Sequence, residues 1–161
     1  MRALALGVSA LALPLASSAE AELPSRKDLS LGIATAIAMA AIEACEASGY
    51  AVSAAVVGRS GEIIIHMRGD NSGPHTMESS FRKAYTSRTF RVPSVEMANR
   101  LKADPHLPQI HLSHVLAAPG GLPIKVGDET IGGVGVSGAP GSQNDEKCAR
   151  AGIEEVAGLI K

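Results

Sequence analysis

The sequence predicts an α+β fold, an antiparallel sheet of about five strands with helices packed on its faces. Three observations carry that expectation. Two pairs of β-prone segments are each separated by a tight turn, Gly58-Arg59-Ser60-Gly61 and Gly127-Asp128, as hairpins require. An Ala-rich stretch from Leu29 to Ala47 spaces Ile33, Ile37, Met39 and Ile42 among small residues, the pattern of a helix buried nearly all round. The last strand candidate is thinned by Gly132, Gly133 and Gly135, which implies a close backbone approach or a bulge.

The elements follow in order. Asp28 or Ser30 caps the first helix and Gly49 stops it. Ala51 to Val57 and Glu62 to Met67 form the first hairpin. Gly69 to Pro74 is a loop rich in breakers, and Thr76 or His75 precedes a helix from Met77 to Thr89. Pro93 or Ser94 opens a short helix that ends near Lys102. Ile110 to Ala117 reads as a strand, Pro119-Gly120-Gly121 as a turn, and Leu122 to Val126 and Glu129 to Ser137 as the second hairpin. Asp145 begins the last helix, which runs to Leu159, with Asp145 and Glu146 placed to complement its N-terminal dipole.

Composition narrows the class. The formal net charge of the 161 residues is −1 and the pI is about 6.5. Such a balance supplies no electrostatic drive towards nucleic acid or an anionic membrane surface. Aromatics make up only 2% of residues, so the core must be built from Ala, Val, Ile and Leu. A small domain with so few large side chains gains burial by self-association, and a homo-oligomer is expected.

The N-terminus has the form of a secretory signal. Arg2 is followed by an apolar run from Ala3 to Ala16, then by small residues, with Ala19-Glu20-Ala21 as an A-x-A pattern. The expected organisation is a signal peptide over 1–21, a linker over 22–28 and one domain over 29–161, placing the mature protein in the periplasm or outside the cell. That compartment permits a disulfide between Cys45 and Cys148. Each cysteine sits on an Ala-rich helical face, and the preferred reading is two buried small hydrophobes without a bridge.

Residues able to do chemistry are few. The Gly132–Gly135 run lacks the strand-to-helix context of a nucleotide loop and no lysine follows it. No serine lies in a nucleophile elbow, so no catalytic residue is assigned. Of the five histidines, His66 alternates with Ile65 on a strand and His106 lies in a Pro-bounded loop. His111 and His114 would point to opposite faces of their strand, which argues against joint chelation. His75 follows the stiff Gly73-Pro74 pair and precedes a helix bearing Arg82, Lys83 and Arg88.

Three ordered segments resemble the GlcG/HbpS family. The first is Arg68-Gly69-Asp70, Gly73-Pro74 and Ser80 through Arg82-Lys83-Ala84-Tyr85-Thr86. The second is Pro119-Gly120-Gly121-Leu122-Pro123-Ile124. The third is Ile131 through Pro140, followed by Asp145-Glu146, Cys148-Ala149 and Ala151-Gly152. The resemblance implies a profilin-like α/β sandwich, higher homo-oligomers, and haem binding for storage, delivery or redox sensing with a sensor or redox protein as partner. Within that frame the chemistry of the residues selects His75 as axial ligand to haem iron, with His114 as second choice. Arg82, Lys83 or Arg88 would pair a propionate, and Met77 and Phe81 would face the porphyrin. Two other classes stay open: an enzyme or pathway accessory binding a small molecule between the Gly69–Tyr85 segment and the Pro119–Pro123 turn, and a ligand-free interaction module.

Mass spectrometry of the protein from the native envelope fraction should find at least the first nineteen or so residues removed. An intact Met1 in the cytosol would contradict the leader.

Overall fold

A computed structural model describes residues 22–160. The leader expected over 1–21 lies outside them. Helix α1 spans Leu31–Glu46, strand β1 Ser53–Val57, β2 Ile63–Arg68, helix α2 His75–Phe90, α3 Val95–Ala103, β3 Gly121–Val126, β4 Glu129–Ser137 and α4 Ser142–Glu155. The strands form one antiparallel sheet in the order β2-β1-β4-β3.

Alternation along the strands separates two layers of helix. Ala54 and Val56 of β1 and Val134 and Val136 of β4 join Ile37, Ala41 and Cys148 in the main core, on the face covered by the α1–α4 pair. The intervening Ala55 and Val57 meet Ala84 and Phe81 of α2 on the other face. Successive side chains of a strand point to opposite faces, so one run of small apolar residues serves both layers. Fully burying each Ile or Val contributes about 1.5–3 kcal/mol.

The glycines of β4 lay α2 on the sheet. A Cβ at Gly135 would stand 2.1 Å from the Ser80 carbonyl oxygen and 2.4 Å from the Ala84 nitrogen. At Gly133 it would meet the Ala84 carbonyl at 2.5 Å, and at Gly121 of β3 the Lys83 carbonyl at 2.2 Å. The close approach expected of the Gly-thinned strand is therefore made to a helix.

Several expectations need correction. The sheet has four strands among the described residues, because Ile110–Ala117 does not form one. Pro108–His111 is a 3₁₀ turn, and the chain beyond it spends its backbone groups on α2 side chains. Arg82 Nη2 donates to the Val115 carbonyl at 2.8 Å, and the Leu116 N–H donates to Thr86 Oγ1 at 2.8 Å. Those groups are then unavailable to a strand ladder. The second helix begins at His75 itself with Pro74 as its N-cap; proline supplies the preset φ that a helix start favours. The last helix begins three residues before Asp145 was expected to open it and ends at Glu155.

Cys45 and Cys148 are bridged, with Cα atoms 5.5 Å apart, against the expectation of two separate thiols. Small residues cause this. A Cβ at Gly152 would meet the Ile37 carbonyl at 2.4 Å and the Ala41 Cβ at 3.1 Å, so α1 and α4 pack almost backbone to backbone and bring the cysteines within bonding reach. The bridge spans 103 residues of sequence, a closure worth about 4–5 kcal/mol in the chain-entropy account.

Gly135→Ala should cost about 3 kcal/mol, because the atoms it meets are helix backbone. Thermal denaturation should show a Tm lower by about 10 °C. Gly158→Ala, which meets nothing within 4 Å, should leave Tm in place.

Candidate functional site

Helix α2 carries most of the residues that the sequence brought forward, and its faces divide them. The sheet-facing side buries Thr76, Ser80, Lys83, Ala84 and Ser87. The flank holds Met77, Phe81, Tyr85 and Arg88, all half-buried, at the 3- and 4-residue spacing of one helical stripe.

His75 is exposed at the first turn of α2, its ring folded back over Gly73, where a Cβ would lie 2.9 Å from Cε1. The turn before it is held by hydroxyls. Ser53 Oγ lies 2.7 Å from Thr76 Oγ1 and 3.2 Å from Ser72 Oγ, and Thr76 Oγ1 donates to the Gly73 carbonyl at 2.7 Å. His75 is thus placed on a well-anchored loop, but no aromatic ring packs on it among the described residues.

His114 has such neighbours. Its imidazole makes edge contacts with Phe81 and Tyr85, each with centroids 5.2 Å apart, and the two rings lie 5.9 Å from one another. The chain contains only two Phe and two Tyr, so half its aromatic rings gather at this exposed histidine. The segment bearing His114 is held over α2 by the Arg82–Val115 and Leu116–Thr86 bonds just described. Tyr85 is the member that the sequence reading did not assign to a site. Its spacing of four from Phe81 was the available signal.

Lys83 is corrected as a ligand-pairing cation. Its side chain is 4% exposed, and Nζ lies 2.7 Å from Oδ2 of Asp145, itself 3% exposed. Nζ also donates to the Val136 carbonyl at 3.1 Å, while Asp145 Oδ1 accepts the Ala139 N–H at 2.9 Å. Asp145 accordingly faces inward to a lysine, beyond the dipole role expected of it. Arg82 is committed in part, to Glu78 at 3.2 Å and to the Val115 carbonyl, though its Nε is buried without a partner.

His66 is half-buried on β2, and its Nε2 lies 3.0 Å from Ser80 Oγ. The Ser80 hydroxyl donates to the Met77 carbonyl at 3.0 Å, so His66 Nε2–H is the donor in that pair. Desolvation lowers its pKa below the ordinary value, with the Met77 backbone acting in the opposite sense. His106 and His111 are exposed. Among the described residues no three of His, Cys, Asp and Glu gather as a metal site, and no helix is long and apolar enough to cross a membrane. Pro119 lines a shallow groove of about 360 Å³ with Val95, Gln143, Glu146, Lys147 and Arg150, not with the Gly69–Tyr85 segment.

The chain matches, over residues 29–154, the family model described as haem degrading protein HbpS-like. Among solved structures it is similar to a double mutant of HbpS from Streptomyces reticuli, at 38% identity over 88% of this chain and 97% of that one, with a TM-score of 0.78. Protein ORFY of Klebsiella pneumoniae is 23% identical over 88% of this chain and 99% of its own, with a TM-score of 0.79. A PduOC:haem complex is 22% identical over 80% and 95%, with a TM-score of 0.74; these last two show the fold alone. No curated protein sequence is significantly similar.

Two predictions follow from the buried groups. Lys83→Met alone should destabilise by about 3–5 kcal/mol, because it strands a buried carboxylate, while Lys83→Met with Asp145→Leu should recover most of that loss. Urea denaturation of the three variants measures it. For His66, a folded pKa below the unfolded value of about 6.5 means that the unfolded chain binds the extra proton. Its contribution is complete above about pH 6.5 and is lost as pH falls towards the folded pKa. His66→Gln should flatten the stability profile below that pH.

Proposed function

The chain belongs to the HbpS-like family, and on that premise we propose that it binds haem on the α2 flank, with His114 as the axial ligand to iron. The observation that carries the choice of site is the meeting of an exposed imidazole with Phe81 and Tyr85. Iron takes a neutral imidazole readily, and flat apolar rings beside it offer dispersion contact to a porphyrin. His75 is the alternative ligand; it stands exposed at the start of the same helix, but with no aromatic ring packed on it among the described residues.

The family description names haem degradation, and the PduOC structure is a haem complex. Both support haem as the ligand class. The reading extends to export, to a periplasmic or secreted location, and to a homo-oligomer serving haem storage, delivery or redox sensing. In support of self-association, Ile63 on the edge strand β2 is 49% exposed, a surface that a second copy would cover.

Adding haem to the mature protein should produce a Soret band. His114→Ala should shift its maximum and weaken binding about tenfold or more, whereas His75→Ala and His106→Ala should do neither. An unchanged spectrum in His114→Ala would move the ligand to His75 or elsewhere. No band in the wild type would overturn the haem reading. Loss of the band on adding peroxide would distinguish degradation from binding alone.

A further inference from the structure

We propose that Arg88, with Arg91 three residues on at the same helix end, is the carboxylate-binding end of the ligand site and receives a propionate of the porphyrin. The inference rests on the haem reading and assigns a group that the reading leaves unplaced. Of the three cations on α2, Lys83 is spent on Asp145 and Arg82 on Glu78 and the Val115 carbonyl. The Arg88 side chain makes no ion pair or hydrogen bond among the described residues; its Nε, like that of Arg82, is buried without a partner, and, unlike in Arg82, no other nitrogen of its guanidinium is engaged. A buried donor left unsatisfied is destabilising. The dipole at the C-terminal end of α2 accounts for a cation there, but not for an orphaned guanidinium nitrogen.

The surroundings suit an anion. Arg88 rests on the sheet, its Cβ 3.1 Å from where a Cβ at Gly133 would be. Arg91 follows as the left-handed C-cap of α2. Arg59 comes from the β1–β2 turn, fixed by bonds to the Lys27 carbonyl and by an ion pair to Glu129 at 2.7 Å. Burial and the fields of Arg91 and Arg59 depress the Arg88 pKa, with Glu62 opposing. The Glu62 carboxylate accepts the Ser60 N–H at 2.8 Å within the turn. A guanidinium remains charged throughout, so the cluster carries positive charge that an arriving carboxylate would neutralise.

Position ties the cluster to the rings. Phe81, Tyr85 and Arg88 lie on one stripe, and seven residues of helix advance about 10 Å along the axis. Tyr85 also touches the turn that carries Arg59, since a Cβ at Gly61 would stand 2.6 Å from its ring. A planar ligand centred at His114, Phe81 and Tyr85 would present its edge towards Arg88. The bond would be charge-assisted, and bidentate where the fork allows.

Haem and iron protoporphyrin dimethyl ester, titrated into the same protein, test this. The wild type should bind haem about tenfold more tightly than the ester. Arg88→Met should erase that difference, weakening haem and sparing the ester, with the Soret maximum unmoved because the iron ligand is intact. Arg88→Lys should retain part of the preference, and Arg100→Met on α3 all of it. Equal affinities of the wild type for haem and ester, or equal weakening of both in Arg88→Met, would overturn the inference while leaving haem binding in place. If the wild type binds neither, the haem reading falls and this inference with it.

Discussion

The contact on which the rest of the molecule depends is the seating of α2 directly on the backbone of β3 and β4. Gly121, Gly133 and Gly135 have helix carbonyls and amides where a side chain would be. With the helix that close, a short fringe of Ser80, Ala84 and Ser87 fills the interface, and no large side chain is needed beneath it. The close seating also limits how the helix can be rotated. One stripe is pressed to the sheet, so Phe81, Tyr85 and Arg88 are necessarily carried to the rim.

The same closeness lets Lys83 act across layers. From α2 it reaches the Val136 carbonyl at the end of β4 and the carboxylate of Asp145 on α4, which belongs to the opposite helical layer. Gly120 lies over this junction, where a Cβ would come 2.9 Å from Nζ. Both charges are desolvated, and a buried pair of this kind is weak evidence for net stability. Its effect is on arrangement: it fixes the α2 layer relative to the α1–α4 layer at one end of the sheet, while the Cys45–Cys148 bridge closes the other layer within itself. The two devices meet on α4, where Asp145 and Cys148 stand three residues apart.

Much of this was legible in the sequence. The two hairpins, the Ala-rich helix and the glycine strand follow from local pattern, and they lie where turn chemistry and small-residue spacing put them. The fate of Ile110–Ala117 was not legible, because its backbone partners are side chains of α2, Arg82 and Thr86, brought there by tertiary packing. The disulfide was hidden for a similar reason. Ala41 and Gly152 stand one turn from Cys45 and Cys148, but small residues alone do not say which two helices meet through them. Among the candidate residues, Lys83 misled because a lysine on a helix usually points to water, and its carboxylate partner is 62 positions away in sequence. Arg59 carried no linear sign of lying near Arg88, whereas Arg91 follows it by three residues at the same helix end.

Scarcity makes the placement of the rings informative. In a chain with four aromatic side chains, burial would ordinarily claim them first, since each covers the most apolar area. Here the two layers close with Ala, Val and Ile, and the largest fully buried side chains include Ile37, Ile124, Val56 and Val134 but no Phe or Tyr. Phe81 and Tyr85 are instead held half-exposed against a histidine, on a helix whose other face is already satisfied by glycine and serine. Phe81 packs against the Ala55, Val57 and Ala84 layer, yet both rings keep a part of their surface open to solvent. A flat apolar ligand of the kind proposed would be covered by the part of the rings that the fold leaves at the surface.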